Sequence, residues 1–120
     1  MVDNVNMEII PQGDIAIVVF NATSMSSVEA ISVASEQIYQ FISQNHPKEI
    51  VVDFSRVKFF SSQVLGMLLG VRTKLKVYNG EIVISGINPQ LYRVFKITNL
   101  DKIFKFFPDR ESAVKSLDTK

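Results

Sequence analysis

The sequence predicts a single α/β domain in which a mixed β-sheet of about four to five strands carries about four helices. Short β-branched or apolar runs alternate along the chain with segments of helical periodicity, which is typical of this fold class. The 120 residues correspond to one domain, and the 47% hydrophobic content suffices for one modest core. No internal repeat or linker interrupts residues 1–120, and we expect an ordered core over residues 6–117.

The first part of the chain predicts two strands around a turn. Residues 7–10 are a weak strand candidate, and the sequence Pro-Gln-Gly-Asp at residues 11–14 is typical of a turn. Residues 15–20, Ile-Ala-Ile-Val-Val-Phe, are rich in β-branched side chains and predict a strong strand.

A helix is predicted to follow this strand. Ser26 and Glu29 match a capping box, in which two side chains satisfy free backbone N–H groups at a helix start. The segment after them has one apolar face at helical spacing, made of Ile31, Ala34, Ile38, Phe41 and Ile42. Pro47 lies beyond the end of this helix, and residues 49–54 contain an apolar run typical of a strand buried on both faces.

The second helix is predicted to begin near Ser61 or Ser62 and to end near Tyr78. Its apolar spacing comes from Leu65, Leu68, Leu69 and Leu75, with Arg72 at the same spacing. The pair Asn79-Gly80 supplies a stop signal, and residues 82–84 predict another strand.

The last part of the chain predicts two more helices and a short strand. Asn88 is placed as an N-cap with Pro89 at the first helical position, and this helix would bury Leu91, Val94 and Phe95. Residues 103–107 predict the strand. Asp109 is expected to cap a final helix that buries Ala113, Val114 and Leu117.

The composition excludes several classes of function. The 13 Lys and Arg nearly balance the 12 Asp and Glu, so the whole-chain charge does not favour nucleic-acid binding. Cysteine is absent, which excludes disulfides, thiolate metal sites and cysteine nucleophiles. The charge-free stretches 15–28 and 59–71 are shorter than the roughly 18 apolar residues of a membrane span. Because the N-terminus also lacks a secretory signal, we expect a cytoplasmic protein.

Motifs for catalysis and cofactor binding are also missing from the sequence. His46 is the one histidine, and it lies in a polar segment where a solvated loop residue is expected. No second imidazole offers an alternative triad member, and neither Gly-rich phosphate motifs nor metal-ligand spacings occur. The sequence therefore predicts a protein that is not an enzyme, with no cofactor and no metal site.

Several segments, taken in order, resemble the STAS domain family. They are Val-Val-Asp-Phe-Ser at 51–55, Ser-Ser-Gln-Val-Leu-Gly at 61–66, Asn-Gly-Glu-Ile-Val-Ile at 79–84, and downstream segments at 87–91, 94–100 and 103–104. The resemblance covers residues 6–117. The family includes bacterial anti-sigma factor antagonists and the cytoplasmic ends of sulfate transporters. With no membrane span predicted, the chain is more similar to a free-standing antagonist.

The central motif of the STAS family reads Asp-Ser-Ser/Thr-Gly-Leu-Gly, and a partner kinase phosphorylates its first Ser. Alignment on Asp53 and on Leu65-Gly66 leaves no gap and places Ser62 at the phosphorylated position. A Ser at the start of a helix is also a reasonable place for phosphate, because free N–H groups and the helix dipole favour an anion there. Ser62 is thus the candidate phosphoacceptor.

The chain departs from the family pattern at several positions around this Ser. Ser61 stands in place of the motif's Asp, Gln63 replaces the second hydroxyl residue, and Val64 replaces a Gly. The family's Gly-Glu-Leu/Ile-Asp turn corresponds to residues 21–24, so Ser24 stands in place of a second acid. The resemblance implies that Ser24, Ser61, Ser62 and Gln63 contact the partner.

The resemblance implies an anti-sigma factor antagonist. The unphosphorylated form would bind an anti-sigma factor with serine-kinase activity and so free a sigma factor. Phosphorylation of Ser62 would end this binding, and a serine phosphatase would restore it. Two alternatives remain open at this point. Ser61 and Ser62 could be an ordinary N-cap pair in a STAS scaffold without phosphoregulation, or Ser62 could be a nucleophile, although no base is predicted near it.

Three other features have a structural and a functional interpretation. Phe59-Phe60 predicts a hydrophobic staple before the second helix, with partner contact by an exposed ring as the alternative. Arg72, Lys74 and Lys76 predict a solvated basic face, which an acidic partner could use. The aromatic cluster at residues 104–107 is expected in the core, and a homodimer contact is the alternative.

Overall fold

A computed structural model describes residues 6–118, which form seven strands, four α-helices and one 3-10 helix. The strands are β1 (Met7–Gln12), β2 (Ile15–Phe20), β3 (Ser24–Met25), β4 (Glu49–Asp53), β5 (Phe59–Phe60), β6 (Glu81–Ser85) and β7 (Lys105–Phe107). The α-helices are α1 (Val28–Asn45), α2 (Gln63–Lys76), α3 (Pro89–Ile97) and α4 (Arg110–Asp118). The 3-10 helix covers Leu100–Lys102.

Five strands form one mixed sheet in the order β1-β2-β4-β6-β7. β1 pairs with β2 in the antiparallel sense, and the other three pairings are parallel. The register aligns Ile17 with Val51 and Val51 with Val83. The parallel strands therefore end at one common edge of the sheet. The α/β class with a mixed sheet and four helices, predicted from the sequence, is confirmed.

Alternation of side chains along each strand divides the core between the two faces of this sheet. On one face Phe20 and Val52 pack with residues of α1, α2 and α3. On the other face Val51 and Val83 pack with Ala113 and Leu117 of α4. Since the strands at the centre of the sheet are covered on both sides, they are apolar at nearly every position, as parallel strands usually are.

The start of α1 differs by one residue from the prediction. The backbone N–H of Ala30 donates to Oγ of Ser27 at 3.2 Å, so Ser27 is the N-cap and the capping box predicted at Ser26 is wrong. The physical reason lies in the backbone: Ser27 is extended (φ −74°, ψ 119°), which is the conformation that aims a cap side chain at the third helical residue. The cap predicted at Asn88 is confirmed, because its Oδ1 accepts from N–H of Leu91 at 2.9 Å.

Three predicted boundaries also shift. The strand predicted at 7–10 continues to Gln12, so the predicted turn narrows to Gly13 and Asp14. α2 ends at Lys76 rather than near Tyr78. The hydroxyl of Tyr78 donates to the carbonyl of Pro47 at 2.7 Å. Burial raises the pKa of Tyr78. The last strand begins at Lys105 rather than at the predicted residue 103, because the preceding residues form the 3-10 helix and a turn. In that turn the backbone N–H of Ile103 donates a hydrogen bond to the carbonyl of Leu100.

Asp109 caps α4, as the sequence predicts, and its charge makes the cap sensitive to pH. The hydrogen bond from the backbone N–H of Ser112, at 2.8 Å, lowers the pKa of Asp109. A lowered pKa means that this cap stabilises the fold above the pKa of the unfolded chain, near 4, and stops doing so as pH falls through the folded value. We therefore expect Asp109→Ala to lower Tm at pH 7 and the difference from wild type to shrink below pH 4. A Tm difference that stays constant from pH 7 to pH 2 would contradict this role.

Candidate functional site

The candidate site lies at the sheet edge where the parallel strands end, around the start of α2. The two-residue strands β3 and β5 pair there in parallel, with Ser24 beside Phe59 and Met25 beside Phe60. The backbone N–H of Ser61 then donates to the carbonyl of Met25 at 2.9 Å. The structure therefore brings Ser24 next to the segment that leads into α2, although 37 residues separate Ser24 from Ser61 in the chain.

Ser62 is the N-cap residue of α2, and its side chain is exposed. Its backbone is already helical (φ −59°, ψ −19°), and its carbonyl accepts from N–H of Leu65 at 3.0 Å. In this conformation the hydroxyl makes no cap hydrogen bond. The ordinary side-chain cap considered for Ser62 is therefore not what the structure shows. The Oγ atom faces solvent beside a helix start whose N–H groups favour an anion.

The side chains on either side of Ser62 are directed toward the protein: Ser61 is directed inward, and Gln63 is directed toward α1. Oγ of Ser61 is buried, with no hydrogen-bond partner among residues 6–118. The Gln63 amide donates to the carbonyl of Val28 at 3.1 Å and to Oγ of Ser32 at 3.3 Å, which ties the start of α2 to α1. Among Ser61, Ser62 and Gln63, only Ser62 is an exposed residue. Its hydroxyl makes no cap hydrogen bond to the helix.

The positions that the family pattern places around Ser62 are occupied by neutral residues. Ser24, Ser61 and Gln63 carry no charge, and the first turn of α2 contains no acidic residue. A phosphate on Ser62 would therefore meet the positive end of the α2 dipole without a nearby carboxylate in that turn. At a helix start, 1–3 charge-assisted hydrogen bonds are the usual gain from such a group. The fold of the protein can accommodate the modification.

Two exposed apolar side chains lie beside this site. Phe59 is 55% exposed and Val28 is 68% exposed. Partner contact was only the alternative interpretation of Phe59, and Val28 was not predicted at the site; the hydrogen bond from Gln63 joins it there. Phe60, in contrast, is buried and its ring packs against those of Phe54 and Phe95. The physical reason for this difference is the alternation of side chains along a strand, which turns one of two neighbouring rings inward and the other outward.

A buried polar cluster at the same sheet edge was not predicted. Asp53 is buried, and its carboxylate accepts from Ser55 Oγ at 2.9 Å, Ser85 Oγ at 3.0 Å and the Arg110 guanidinium at 3.1 Å. Gly86 lies against this cluster with a left-handed backbone (φ 69°). The members of the cluster come from three separate parts of the chain, so only the folded structure reveals it. The cluster joins α4 to the ends of β4 and β6.

Comparison with known families identifies the family of the chain. The family model of the STAS domain matches residues 6–113. The match covers most of the chain, including the start of α2 and β3, which carries Ser24. The chain therefore belongs to the STAS domain family.

Individual relatives are more distant. BtrV of Bordetella bronchiseptica, described as a putative anti-sigma factor antagonist, is 31% identical over 72 residues, which are 60% of this chain and 62% of BtrV. The anti-sigma F factor antagonist of Paenibacillus polymyxa is 24% identical over 82 residues, which are 68% of this chain and 70% of that protein. The matched regions thus leave more than a quarter of each relative outside the alignment.

Solved structures agree on the fold. The anti-sigma factor antagonist SpoIIAA in its unphosphorylated form superposes with a TM-score of 0.83 at 17% identity, covering 96% of this chain and 98% of SpoIIAA. An anti-sigma factor antagonist from Mycobacterium paratuberculosis gives a TM-score of 0.77 at 22% identity, covering 94% and 93%. Among the helices of residues 6–118, none combines the length and apolar character needed to cross a bilayer.

Proposed function

We propose that the protein is an anti-sigma factor antagonist whose binding to its anti-sigma factor is switched by phosphorylation of Ser62. The observation that carries the proposal is the exposed Ser62 hydroxyl at the start of α2, which forms no cap bond. The family membership and the antagonist from Paenibacillus polymyxa support the class of partner. SpoIIAA, which shares the fold, has been solved in both unphosphorylated and phosphorylated forms.

The proposed binding surface is built around Ser62. Phe59 and Val28 supply apolar area, and Ser24 supplies a polar rim beside Phe59. An exposed aromatic ring next to polar groups that can hydrogen-bond is a common composition for a protein interface. The unphosphorylated form would bind here and displace the sigma factor from its inhibitor.

The switch itself requires a kinase and a phosphatase, and this chain supplies only the acceptor. The kinase transfers the γ-phosphoryl group of ATP to Oγ of Ser62, with ADP and the hydroxyl proton released. The phosphatase hydrolyses the ester and returns serine and inorganic phosphate. Phosphoserine brings about −1.5 to −2 charges to an interface that is closed around a neutral hydroxyl, so the complex loses affinity by desolvation and repulsion. No refolding is needed.

Phosphopeptide mass spectrometry tests the acceptor directly. After incubation with the cognate kinase and ATP, trypsin releases residues 59–72 as one peptide, which contains both Ser61 and Ser62. Fragment ions that separate the two serines are expected to place the phosphate on Ser62, because Oγ of Ser61 is buried. Ser62→Ala should abolish the signal and Ser61→Ala should keep it. An unmodified peptide, or phosphate on Ser61, would contradict the proposal.

A second candidate function is a STAS scaffold that binds its partner without phosphoregulation. The observation in its favour is that Ser61 and Ser24, both neutral, stand in place of the acids of the family pattern. In that case the kinase leaves Ser62 unmodified, and a negative charge at residue 62 leaves partner affinity unchanged. The experiments on Ser62 therefore separate the two candidates.

A further inference from the structure

The near-neutral charge of the chain conceals an uneven distribution. Residues 54–108 contain nine of the 13 Lys and Arg but only two of the 12 Asp and Glu. This stretch includes α2, β6, α3 and β7. β6 and β7 are adjacent at one side of the sheet, so Lys105 at the start of β7 lies beside the strand that follows α2. The opposite side of the sheet, β1 and β2, is formed by a more acidic part of the chain.

Three of these cations line one open cleft of about 360 Å³, which we call the basic cleft. Arg72 and Lys76 come from the last turns of α2, and Lys105 comes from the first position of β7. Ile82 and Ile103 give the cleft an apolar part, and Ile103 is 43% exposed. The cleft lies at the opposite end of α2 from Ser62. A helix of 14 residues spans about 21 Å, so the two surfaces are separate.

The structure divides the basic face that the sequence predicts on α2. Lys74 does not line the basic cleft; its ammonium lies 4.9 Å from the centre of the Tyr39 ring, on the side of α1. Arg72 and Lys76 are one turn apart and share the other side of the helix. Lys105 joins them only through the tertiary fold. The convergence of these three side chains is therefore a property of the folded domain and not of one helix.

We infer that the basic cleft is a second docking surface, and that it takes an acidic segment of a protein partner. Charge complementarity with the cations identifies the class of partner, since complementary charge gives specificity and faster association. The exposed side chain of Ile103 provides an apolar contact for a hydrophobic residue located next to the acidic residues of such a segment. Lys102, which precedes Ile103 in the chain, is also exposed.

Two other anionic ligands fit less well. Small-molecule sites usually enclose their ligand and fix it with a few polar groups placed deep in the pocket, whereas Lys76 and Lys105 are exposed and the basic cleft is open. A nucleic-acid backbone favours a continuous basic surface, and here Glu81 lines the cleft as well. A peptide can place its carboxylates beside the lysines and avoid Glu81, which a uniform chain of phosphates does less easily.

A titration followed by NMR tests this inference with a hexaglutamate peptide as the probe. At low ionic strength, we expect backbone amide shifts to change at residues 72–82 and 103–105, and the affinity to fall as salt is added. The double variant Lys76→Gln/Lys105→Gln should weaken binding about tenfold, as two partly exposed ion pairs are lost. The matched control Lys74→Gln/Lys115→Gln removes the same charge outside the basic cleft and should leave the affinity within about twofold.

Several outcomes would overturn the inference. They are shifts that map outside the basic cleft, equal weakening by the two double variants, and tighter binding in this cleft of pyrophosphate or of a six-nucleotide oligothymidylate than of the peptide. Ser62→Asp is expected to leave hexaglutamate affinity unchanged, because residue 62 lies at the other end of α2. Peptide binding in the basic cleft is therefore independent of the proposed switch at Ser62.

Discussion

Ser62→Asp is expected to weaken the complex with the anti-sigma factor about 100-fold. The carboxylate places a negative charge at the exposed position that the proposed interface covers, next to Phe59 and Val28. Closing an apolar interface over an unpaired charge costs several kcal/mol, and about 2.7 kcal/mol corresponds to 100-fold in Kd. Isothermal titration calorimetry with the purified partner measures the change, and Ser62→Ala should bind within about threefold of wild type.

Two controls separate this effect from damage to the fold or from charge in general. An acid at the first turn of a helix is stabilising by about 0.3–1 kcal/mol, so Ser62→Asp should keep or slightly raise Tm. Ser43→Asp makes the same substitution at an exposed position near the other end of α1 and should bind as wild type does. If Ser62→Asp binds as tightly as Ser62→Ala, the phosphoswitch is wrong and the scaffold function is favoured.

Gly86→Ala is expected to lower the free energy of unfolding by about 2–5 kcal/mol. Gly86 has φ 69°, where an L side chain is strained by about 1–2 kcal/mol. A Cβ atom at this position would also lie 2.8 Å from Cβ of Ser55 and 2.9 Å from Oδ1 of Asp53. These contacts are too short, and relieving them would displace the buried carboxylate from its hydrogen bonds, which adds an overpacking cost of about 1–3 kcal/mol. Urea denaturation measures the loss.

Two other glycines serve as matched controls for this substitution. Gly13 has φ 61°, but a methyl group on its Cα would have no neighbouring atom within 4 Å, so Gly13→Ala should show the backbone strain alone, about 1–2 kcal/mol. Gly66 lies inside α2 with open space around it, so Gly66→Ala should stabilise the fold by about 0.5–1 kcal/mol. If Gly86→Ala costs no more than Gly13→Ala, the close approach of the Asp53 cluster does not constrain Gly86.

Much of the fold follows from local sequence patterns. β2 was found because six apolar residues, mostly β-branched, occur together, and α3 because Asn88 and Pro89 are placed where a helix start requires them. The errors are at boundaries. The cap shifted from Ser26 to Ser27 because either serine satisfies the composition of a cap, and only the backbone conformation selects one of them.

The candidate site was predictable only in part. The position of Ser62 at the start of α2 was found by resemblance to a motif and by the end of an apolar run. The segments beside it are held together by two interactions that sequence patterns do not show: the pairing of β3 with β5, and the hydrogen bond from Gln63 to Val28, 35 residues away. Strands of two residues are too short to leave a periodic signal, so Phe59 could not be assigned to a face in advance.

Local patterns in the sequence were sufficient to predict the α/β class, the order of the main elements, the family resemblance and Ser62 as the candidate acceptor. These depend on short-range periodicity and on motif spacing, which survive in a linear chain. Which polar groups face solvent and which charges converge depends on the folded structure. Asp53 and Arg110 are 57 residues apart, and Lys105 joins Arg72 only when β7 pairs with β6. Such contacts are set by long-range packing, because strands that pair in a sheet can come from parts of the chain that are far apart in sequence.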